Sequence, residues 1–129
     1  MRAPEDFRIL IVDDEESIRS ILAEHFELDD FQVFTAESGN KALALLETQE
    51  IDFILSDIRM PDGDGESLLR GVRERNPNIP MIVLVSGFSE LSKEEALALG
   101  AFDVLGKPFD LNVIEGIIKD YMKDLAPIS

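Results

Sequence analysis

The stretch "ILIVDDEES", residues 9–17, runs four aliphatic side chains directly into four consecutive acids. A near-continuous aliphatic run of this length is typical of a strand that is buried on both faces of a sheet. The acids that follow it repel one another, because two carboxylates about 4 Å apart cost very roughly 4 kcal/mol at an effective dielectric constant of ~20. Either water screens this cluster, or a positive charge belongs beside it.

Short strand-like runs and helical patterns alternate outward from this stretch along the rest of the chain. Strands are predicted at 7–13, 31–36, 52–57, 81–86 and within 101–108. Helices are predicted over about 15–28, 38–49, from 66 to about 75, 92–100 and 111–125. The run at 81–86 is the most apolar, which favours a central position. This alternation predicts an α/β protein, a doubly wound five-stranded parallel sheet with helices on both faces.

Composition limits the function classes that remain. The chain of 129 residues suits a single domain, with a core over about 7–125. It has 12 basic and 27 acidic side chains, a net charge of −15, so direct nucleic acid binding and binding to anionic membranes are not expected. There is no cysteine, and His25 is the single histidine, which excludes cysteine chemistry and a histidine-rich zinc site.

The sequence has no segment that directs it to or through a membrane. Its first residues, "MRAPEDFRIL", lack the apolar core and cleavage site of a signal peptide. No apolar run approaches the ~20 residues that a membrane span needs. We therefore expect a cytoplasmic protein.

The polar residues that follow the predicted strands indicate where chemistry would take place. In open α/β sheets, ligands bind beyond the carboxyl ends of the strands. With strand order 2-1-3-4-5 the first strand neighbours the third, so three carboxylates would meet on one side of a crevice. A hydroxyl and an ammonium group would lie on the other side. The residues at these strand ends are Asp13 and Asp14, Asp57, Ser86 and Gly87, and Lys107.

These residue types suit phosphoryl transfer with a bound magnesium ion. Mg²⁺ prefers oxygen ligands, and two or three carboxylates suffice because it retains several waters. A carboxylate can also act as a nucleophile towards phosphorus and form an aspartyl phosphate. Phosphoryl transfer needs positioning and charge neutralisation, which Mg²⁺, Lys107 and the Ser86 hydroxyl would supply. Gly87 leaves a backbone N–H open to a phosphoryl oxygen.

Four motifs carry a family resemblance that covers essentially the whole chain. They are "VDDE" (12–15), "LSDIRMPDGDG" (55–65), "LVSGF" (84–88) and "GKPF" (106–109). In this order and spacing they resemble the receiver domain of bacterial two-component response regulators. The resemblance implies a flavodoxin-like (βα)5 fold with strand order 2-1-3-4-5. It also implies a signalling switch rather than an enzyme, one that catalyses only its own phosphorylation and dephosphorylation.

The resemblance implies a role for each residue of the acidic cluster. Asp57 would be the phosphoacceptor, taking a phosphoryl group from a sensor histidine kinase or a phosphotransfer protein. Asp14 would bind Mg²⁺ directly and Asp13 mostly through water. Asp57 and the backbone carbonyl of Arg59 would complete the protein ligands. The output domain or downstream protein is not indicated.

The remaining motif positions would complete a phosphorylation switch. By resemblance, Lys107 would pair with the phosphoryl oxygens, and the Lys107–Pro108 peptide bond would be cis. Ser86 would move towards the phosphoryl group and reshape the face made by the fourth helix, the fifth strand and the fifth helix.

The sequence departs from the family at two positions, and two others lie where the family tunes the lifetime of the phosphoryl group. Val104 stands where a switch aromatic is usual, and Phe102 is the nearest substitute in the predicted strand. Gly63 stands where methionine is common, which predicts a more mobile loop. Phe88 and Arg59, each two positions past a key residue, suggest that the phosphoryl group is lost slowly.

Two other functions fit parts of the pattern. The first is a small Mg²⁺-dependent phosphohydrolase with an aspartyl-phosphate intermediate, although "VDDEE" lacks the D-x-D arrangement usual for such enzymes. The second is a receiver-like protein-binding module that is not phosphorylated, which the valine at 104 favours. "DGDGE" (62–66) does not continue as a calcium loop, because Ser67 and Arg73 occupy its sixth and twelfth positions. His25, on the apolar stripe of the first helix, is predicted to be structural.

Overall fold

Strands and helices alternate along the chain as the sequence patterns predict. The computed structural model describes residues 1–87 and 91–128. Within them, the strands are β1 (Arg8–Val12), β2 (Gln32–Ala36), β3 (Phe53–Asp57), β4 (Met81–Ser86) and β5 (Asp103–Gly106). The α-helices are α1 (Glu16–Leu28), α2 (Gly39–Leu46), α3 (Gly65–Arg75), α4 (Lys93–Ala98) and α5 (Leu111–Asp124). A 3₁₀ turn at Pro4–Asp6, which was not predicted, precedes β1.

The strands form one parallel sheet in the order β2-β1-β3-β4-β5, which confirms the predicted order. Residues 81–86 were predicted to be central, and β4 does lie inside the sheet, between β3 and β5, although β3 is its middle strand. High apolarity reports burial on both faces, a property that β4 shares with β1 and β3.

Two apolar cores lie on opposite faces of the sheet. Alternate residues of a strand face opposite sides, so Leu10 packs with α2, α3 and α4, whereas Ile9 and Ile11 pack with α1 and α5. Each fully buried aliphatic side chain contributes roughly 1.5–3 kcal/mol relative to its exposed state. The two cores hold the carboxyl ends of the strands in fixed relation, and those ends carry the candidate site.

Polar side chains close the amino ends of four helices. The Ser38 hydroxyl accepts the N–H of Lys41 and so caps α2. Asp64, Ser92 and Asp110 do the same for α3, α4 and α5. These caps hold the loops that lead into α2, α3, α4 and α5.

The opposite edge of the sheet, at the amino ends of the strands, is closed by a buried ion-pair network. Asp52 is buried and accepts hydrogen bonds from the backbone N–H and the guanidinium of Arg8, at 2.9–3.2 Å. Arg2 also donates to Asp52, and its backbone N–H donates to the Met122 carbonyl of α5. The amino-terminal segment is thereby joined to β1, β3 and α5.

None of the helices in the described ranges is both long enough and apolar enough to cross a membrane.

Candidate functional site

The carboxyl ends of four strands bring the predicted site residues to one edge of the sheet. The parallel ladder continues past the strands at three points, where one backbone N–H donates to a carbonyl of the neighbouring strand. These hydrogen bonds join Asp13 to Ala36, Ile58 to Val85 and Lys107 to Ser86, at 3.2, 3.0 and 2.9 Å. The backbone under the site is therefore part of the sheet and not a free loop.

Three carboxylates converge at this edge. One oxygen each of Asp13, Asp14 and Asp57 lies within 4.8 Å of the other two. Asp13 is buried and Asp14 is exposed, so the cluster opens to solvent on one side. The ammonium of Lys107 lies 2.9 Å from Oδ2 of Asp57, whose side chain is only 11% exposed. Residues from three strand ends thus form one charged cluster.

The electrostatics of the cluster favour a cation. Burial raises the pKa of Asp13. The backbone N–H of Glu15 donates to Oδ1 of Asp13 at 2.9 Å and lowers that pKa in part. The nearby negative charge of Asp57 raises it further. Burial by itself lowers the pKa of Lys107, but the hydrogen bond to Asp57 and its charge outweigh burial, so the net shift is upward. The charged form of Lys107 is therefore favoured, but its ammonium pairs directly with Asp57 alone, and one positive charge does not balance three converging carboxylates.

The donor set fits a hard divalent cation. All three side chains offer oxygen atoms, which Mg²⁺ prefers, and the open side leaves room for the water ligands that Mg²⁺ retains. A divalent charge would remove the repulsion that raises the pKa of Asp13. The side chain of Arg59, two residues after Asp57, is exposed.

Ser86 and Gly87 leave space and an unused polar group next to Lys107. The Ser86 hydroxyl is buried and has no hydrogen-bond partner among the described residues, which is unusual for a buried polar atom. Among the described residues, a Cβ added to Gly87 would meet only Cδ of Lys107, at 4.0 Å. Glycine is therefore not required here by packing.

The loop between β3 and α3 is fixed by α2, which the sequence reading missed. Gly63 was expected to make this loop more mobile, but its carbonyl accepts the N–H of Gly39 at 2.7 Å, and Asp62 accepts the N–H of Asn40 at 3.2 Å. Gly63 has a φ of +94°, and a Cβ there would lie 2.7 Å from the backbone nitrogen of Asn40. The glycine allows close backbone contact instead of loosening the loop.

The switch positions, Phe88 and the lysine–proline bond lie as follows. Val104 is half-buried and packs against the core formed with α2, α3 and α4. Phe102 is not in the strand where it was predicted, because β5 begins at Asp103, and its side chain is 51% exposed. Phe88 lies outside the described residues. The Lys107–Pro108 peptide bond is cis, as predicted.

A cleft of about 570 Å³ opens beside the acidic cluster. Its charged lining includes Asp13, Asp57 and Lys107, and apolar residues of α1 and of the segment after β5 complete it, among them Ile18 and Phe109. A group that enters the cleft would reach Asp57 from the side of α1.

The parallel sheet with an acid-and-lysine cluster at its carboxyl edge defines a receiver domain. A family model described as the response regulator receiver domain matches residues 9–119, and the chain belongs to this family. Receiver domains are signalling domains of two-component response regulators.

Two curated relatives differ in how much of their length the chain spans. The regulatory protein AtoC of Escherichia coli strain K12 is 39% identical over 112 residues, which cover 87% of this chain and 24% of AtoC. Sporulation initiation phosphotransferase F of Bacillus subtilis strain 168 is 34% identical over 116 residues, 89% of this chain and 93% of that protein. The chain therefore spans about a quarter of the first relative and most of the second.

A similar solved structure is the CheX-CheY-BeF3-Mg²⁺ complex from Borrelia burgdorferi. It aligns with a TM-score of 0.80 and 27% identity, over 90% of each chain.

Proposed function

We propose that the chain is a phosphorylation-dependent switch that accepts a phosphoryl group on Asp57 from a sensor histidine kinase or a phosphotransfer protein. The observation that carries this proposal is the Asp57 carboxylate, paired with Lys107 at 2.9 Å inside a cluster of acids. Membership of the receiver family supports the signalling role. We further propose that residues 1–129 form a single receiver domain, because both apolar cores pack on the same sheet.

The transfer needs little covalent chemistry from the protein. A carboxylate oxygen of Asp57 attacks phosphorus, the bond from phosphorus to the donor's imidazole nitrogen breaks, and its electron pair stays on that nitrogen. Lys107, already beside Asp57, compensates the charge on the phosphoryl oxygens. The cleft of about 570 Å³ on the side of α1 has room for the donor's imidazole.

Magnesium is the cofactor we propose for this reaction. Asp13, Asp14, Asp57 and the backbone carbonyl of Arg59 would hold the ion. When bound, Mg²⁺ would neutralise phosphoryl charge and the repulsion among the acids. The oxygen-only donor set supports this choice, as does the presence of Mg²⁺ and BeF3 in the similar complex from Borrelia.

We propose that Ser86 transmits the change. Its buried hydroxyl has no partner among the described residues and would donate a hydrogen bond to a phosphoryl oxygen, with the N–H of Gly87 beside it. The response would reshape the face formed by α4, β5 and α5. Val104 offers no ring to follow Ser86 inward, so Phe102, exposed just before β5, is the substitute switch that we propose.

Intact-protein mass spectrometry after incubation with acetyl phosphate tests the proposal. We expect a single phosphoryl adduct with Mg²⁺ present, none with excess chelator, and none for Asp57→Asn. Asp110→Asn is a matched control, because Asp110 caps α5 by accepting the N–H of Asn112, a role that asparagine retains. An adduct that persists in Asp57→Asn, or that forms equally in chelator, would contradict the assignment.

Decay of the adduct tests the slow dephosphorylation inferred from Arg59 and Phe88. A half-life of minutes or longer that shortens in Phe88→Ala is expected. A half-life of seconds that Phe88→Ala leaves unchanged would remove the inference and leave the phosphoacceptor in place.

A further inference from the structure

A second group of possible metal ligands lies where the carboxyl end of α1 meets α5. One ring nitrogen of His25 and one carboxylate oxygen each of Asp29 and Glu115 lie within 4.8 Å of one another. His25 and Asp29 are four residues apart, which places both on one side of the carboxyl end of α1, whereas Glu115 comes from α5. None of the three residues belongs to the acidic cluster around Asp57.

The pair at the centre of this group is already in place. Nε2 of His25 and Oε1 of Glu115 are 2.5 Å apart, and the two side chains are 34% and 25% exposed. Both helices pack on the same face of the sheet, through Phe26 of α1 and Ile118 of α5. Little rearrangement is therefore needed to bring imidazole and carboxylate to one ion.

These three ligands favour a different kind of ion from the one that the cluster around Asp57 favours. Imidazole nitrogen suits Zn²⁺, Ni²⁺ and Cu²⁺, whereas Mg²⁺ prefers oxygen ligands alone. The two carboxylates supply charge compensation, and Asp29 is exposed, so water has access to the remaining positions. Lys119 and Lys123 line the same cleft of about 370 Å³ as Asp29 and Glu115 and are the side-chain cations that would compete with a metal ion there.

We propose that His25, Asp29 and Glu115 form a second metal site, for Zn²⁺ or a similar transition-metal ion, that links α1 to α5. The ion would lie between His25 and Glu115, and both side chains would bind it in place of their direct contact with each other. Because α5 belongs to the face that the proposed switch reshapes, occupancy of the site would restrain the movement of that helix. The site itself does not depend on phosphorylation of Asp57.

The single histidine makes the test specific. With Mg²⁺ in excess to occupy the acidic cluster, Zn²⁺ is titrated into the intact chain while the imidazole signals of His25 are followed by NMR. We expect a saturable shift near one equivalent of Zn²⁺. Asp29→Asn and Glu115→Gln should each weaken the Zn²⁺ affinity read from His25 by roughly tenfold or more, since each removes a charged ligand.

Two controls separate this site from its alternatives. Glu27→Gln removes the same charge from the side of α1 that faces Val33 and Thr35, and should leave the affinity unchanged. Asp14→Asn, which weakens the other cluster, should also leave the His25 titration unchanged. Failure of Zn²⁺ to move the His25 signals, or affinities for Asp29→Asn and Glu115→Gln equal to wild type, would overturn the proposal. The pair would then be a hydrogen bond only.

Discussion

Asp13 is the buried member of the acidic cluster. Its carboxylate is desolvated and lies near the negative charge of Asp57. Because these raise its pKa, the ionised form at neutral pH destabilises the metal-free fold. We expect Asp13→Asn to raise the free energy of unfolding in chelator by on the order of 1 kcal/mol. The stabilisation gained on adding Mg²⁺ should decrease in the same variant. Urea unfolding with and without Mg²⁺ measures both effects.

The effect of Asp13→Asn should depend on pH in one direction. Wild-type Asp13 takes up a proton as the pH falls through its raised pKa, so the stability difference from Asp13→Asn should shrink in acid. Asp14→Asn provides the contrast: this exposed side chain should affect Mg²⁺ binding but change metal-free stability little. Equal metal-free stabilisation in the two variants would contradict the role of burial.

Tyr121 offers a second pH test because it is the only tyrosine and the chain has no tryptophan. Burial raises its pKa, and its ring packs edge-on against Phe7, with centroids 6.0 Å apart. Absorbance at about 295 nm should therefore titrate above the ordinary tyrosine pKa of about 10 in the folded protein, and near it in urea. A raised folded pKa means that the stabilising contribution is complete below the unfolded pKa and is lost as the pH rises through the folded value.

Tyr121→Phe separates the contribution of the hydroxyl group from that of the aromatic ring. The variant retains the contact with Phe7 but cannot ionise, so its stability should fall less between neutral and strongly alkaline pH than that of wild type. Identical titration midpoints in the folded and urea-unfolded protein would show that burial does not perturb the phenol.

The loop between β3 and α3 depends on one glycine. A side chain at Gly63 would require a positive φ and would meet the backbone nitrogen of Asn40 at 2.7 Å. We expect Gly63→Ala to destabilise the protein by about 1–3 kcal/mol, because both effects favour separation of the loop from α2. Since the loop begins immediately after Asp57, Mg²⁺ affinity should fall as well. Thermal unfolding and Mg²⁺ titration measure the two quantities.

Gly116 is the matched glycine for that experiment. It lies inside α5, and a Cβ there would meet nothing within 4 Å in the part of the chain that the structure describes. Gly116→Ala should therefore stabilise the protein, by about 0.5–1 kcal/mol, because it removes conformational freedom from the unfolded chain. A loss of stability in both variants would indicate that glycine is needed for a reason other than local geometry.

Hydrophobic patterns predicted the existence and order of the strands and helices, but their ends are less accurate. The fifth strand pattern includes Phe102, whereas β5 begins at Asp103, and α2 ends at Leu46 instead of residue 49. Alternation reports which residues are buried, and burial extends beyond the hydrogen-bonded ladder. The polar ends of strands, such as Asp57, were predictable because parallel topology dictates that they meet at one edge.

Contacts between residues far apart in sequence could not be predicted from local pattern. The loop at Gly63 is fixed by the start of α2, and His25 meets a glutamate 90 residues away on α5. Neither has a periodic signal, because each depends on how two helices are positioned against the sheet. The positive φ of Gly63 was available only as the general preference of glycine for such turns.

Stability and chemistry occupy opposite edges of the sheet. Asp52, at the amino ends of the strands, holds Arg2 and Arg8 together in a buried network. Asp52→Asn should reduce the free energy of unfolding by roughly 2–3 kcal/mol, because two guanidinium groups lose their buried counterion. The extra stability conferred by Mg²⁺ should remain that of wild type, since the acid cluster lies at the other edge. Urea unfolding in both conditions checks this separation.

Glu50→Gln is the control at the same edge. Glu50 pairs with Arg8 at 3.0 Å, but its side chain is 86% exposed. Such a pair contributes little, so the change in stability should stay within about 0.5 kcal/mol. A Mg²⁺ increment that decreases in Asp52→Asn would show instead that the two edges are coupled.

The hydrogen bonds that extend the ladder under the site have a consequence for amide exchange. The N–H groups of Asp13, Ile58 and Lys107 each donate to a neighbouring strand, although Asp13 and Lys107 line a cleft that is open to water. In D₂O their protons should be replaced only when the sheet itself opens, at rates close to those of β1 and β3. We therefore expect the charged side chains of the site to project from backbone that exchanges as slowly as the core of the sheet. A reaction partner must then adjust its own position to reach them.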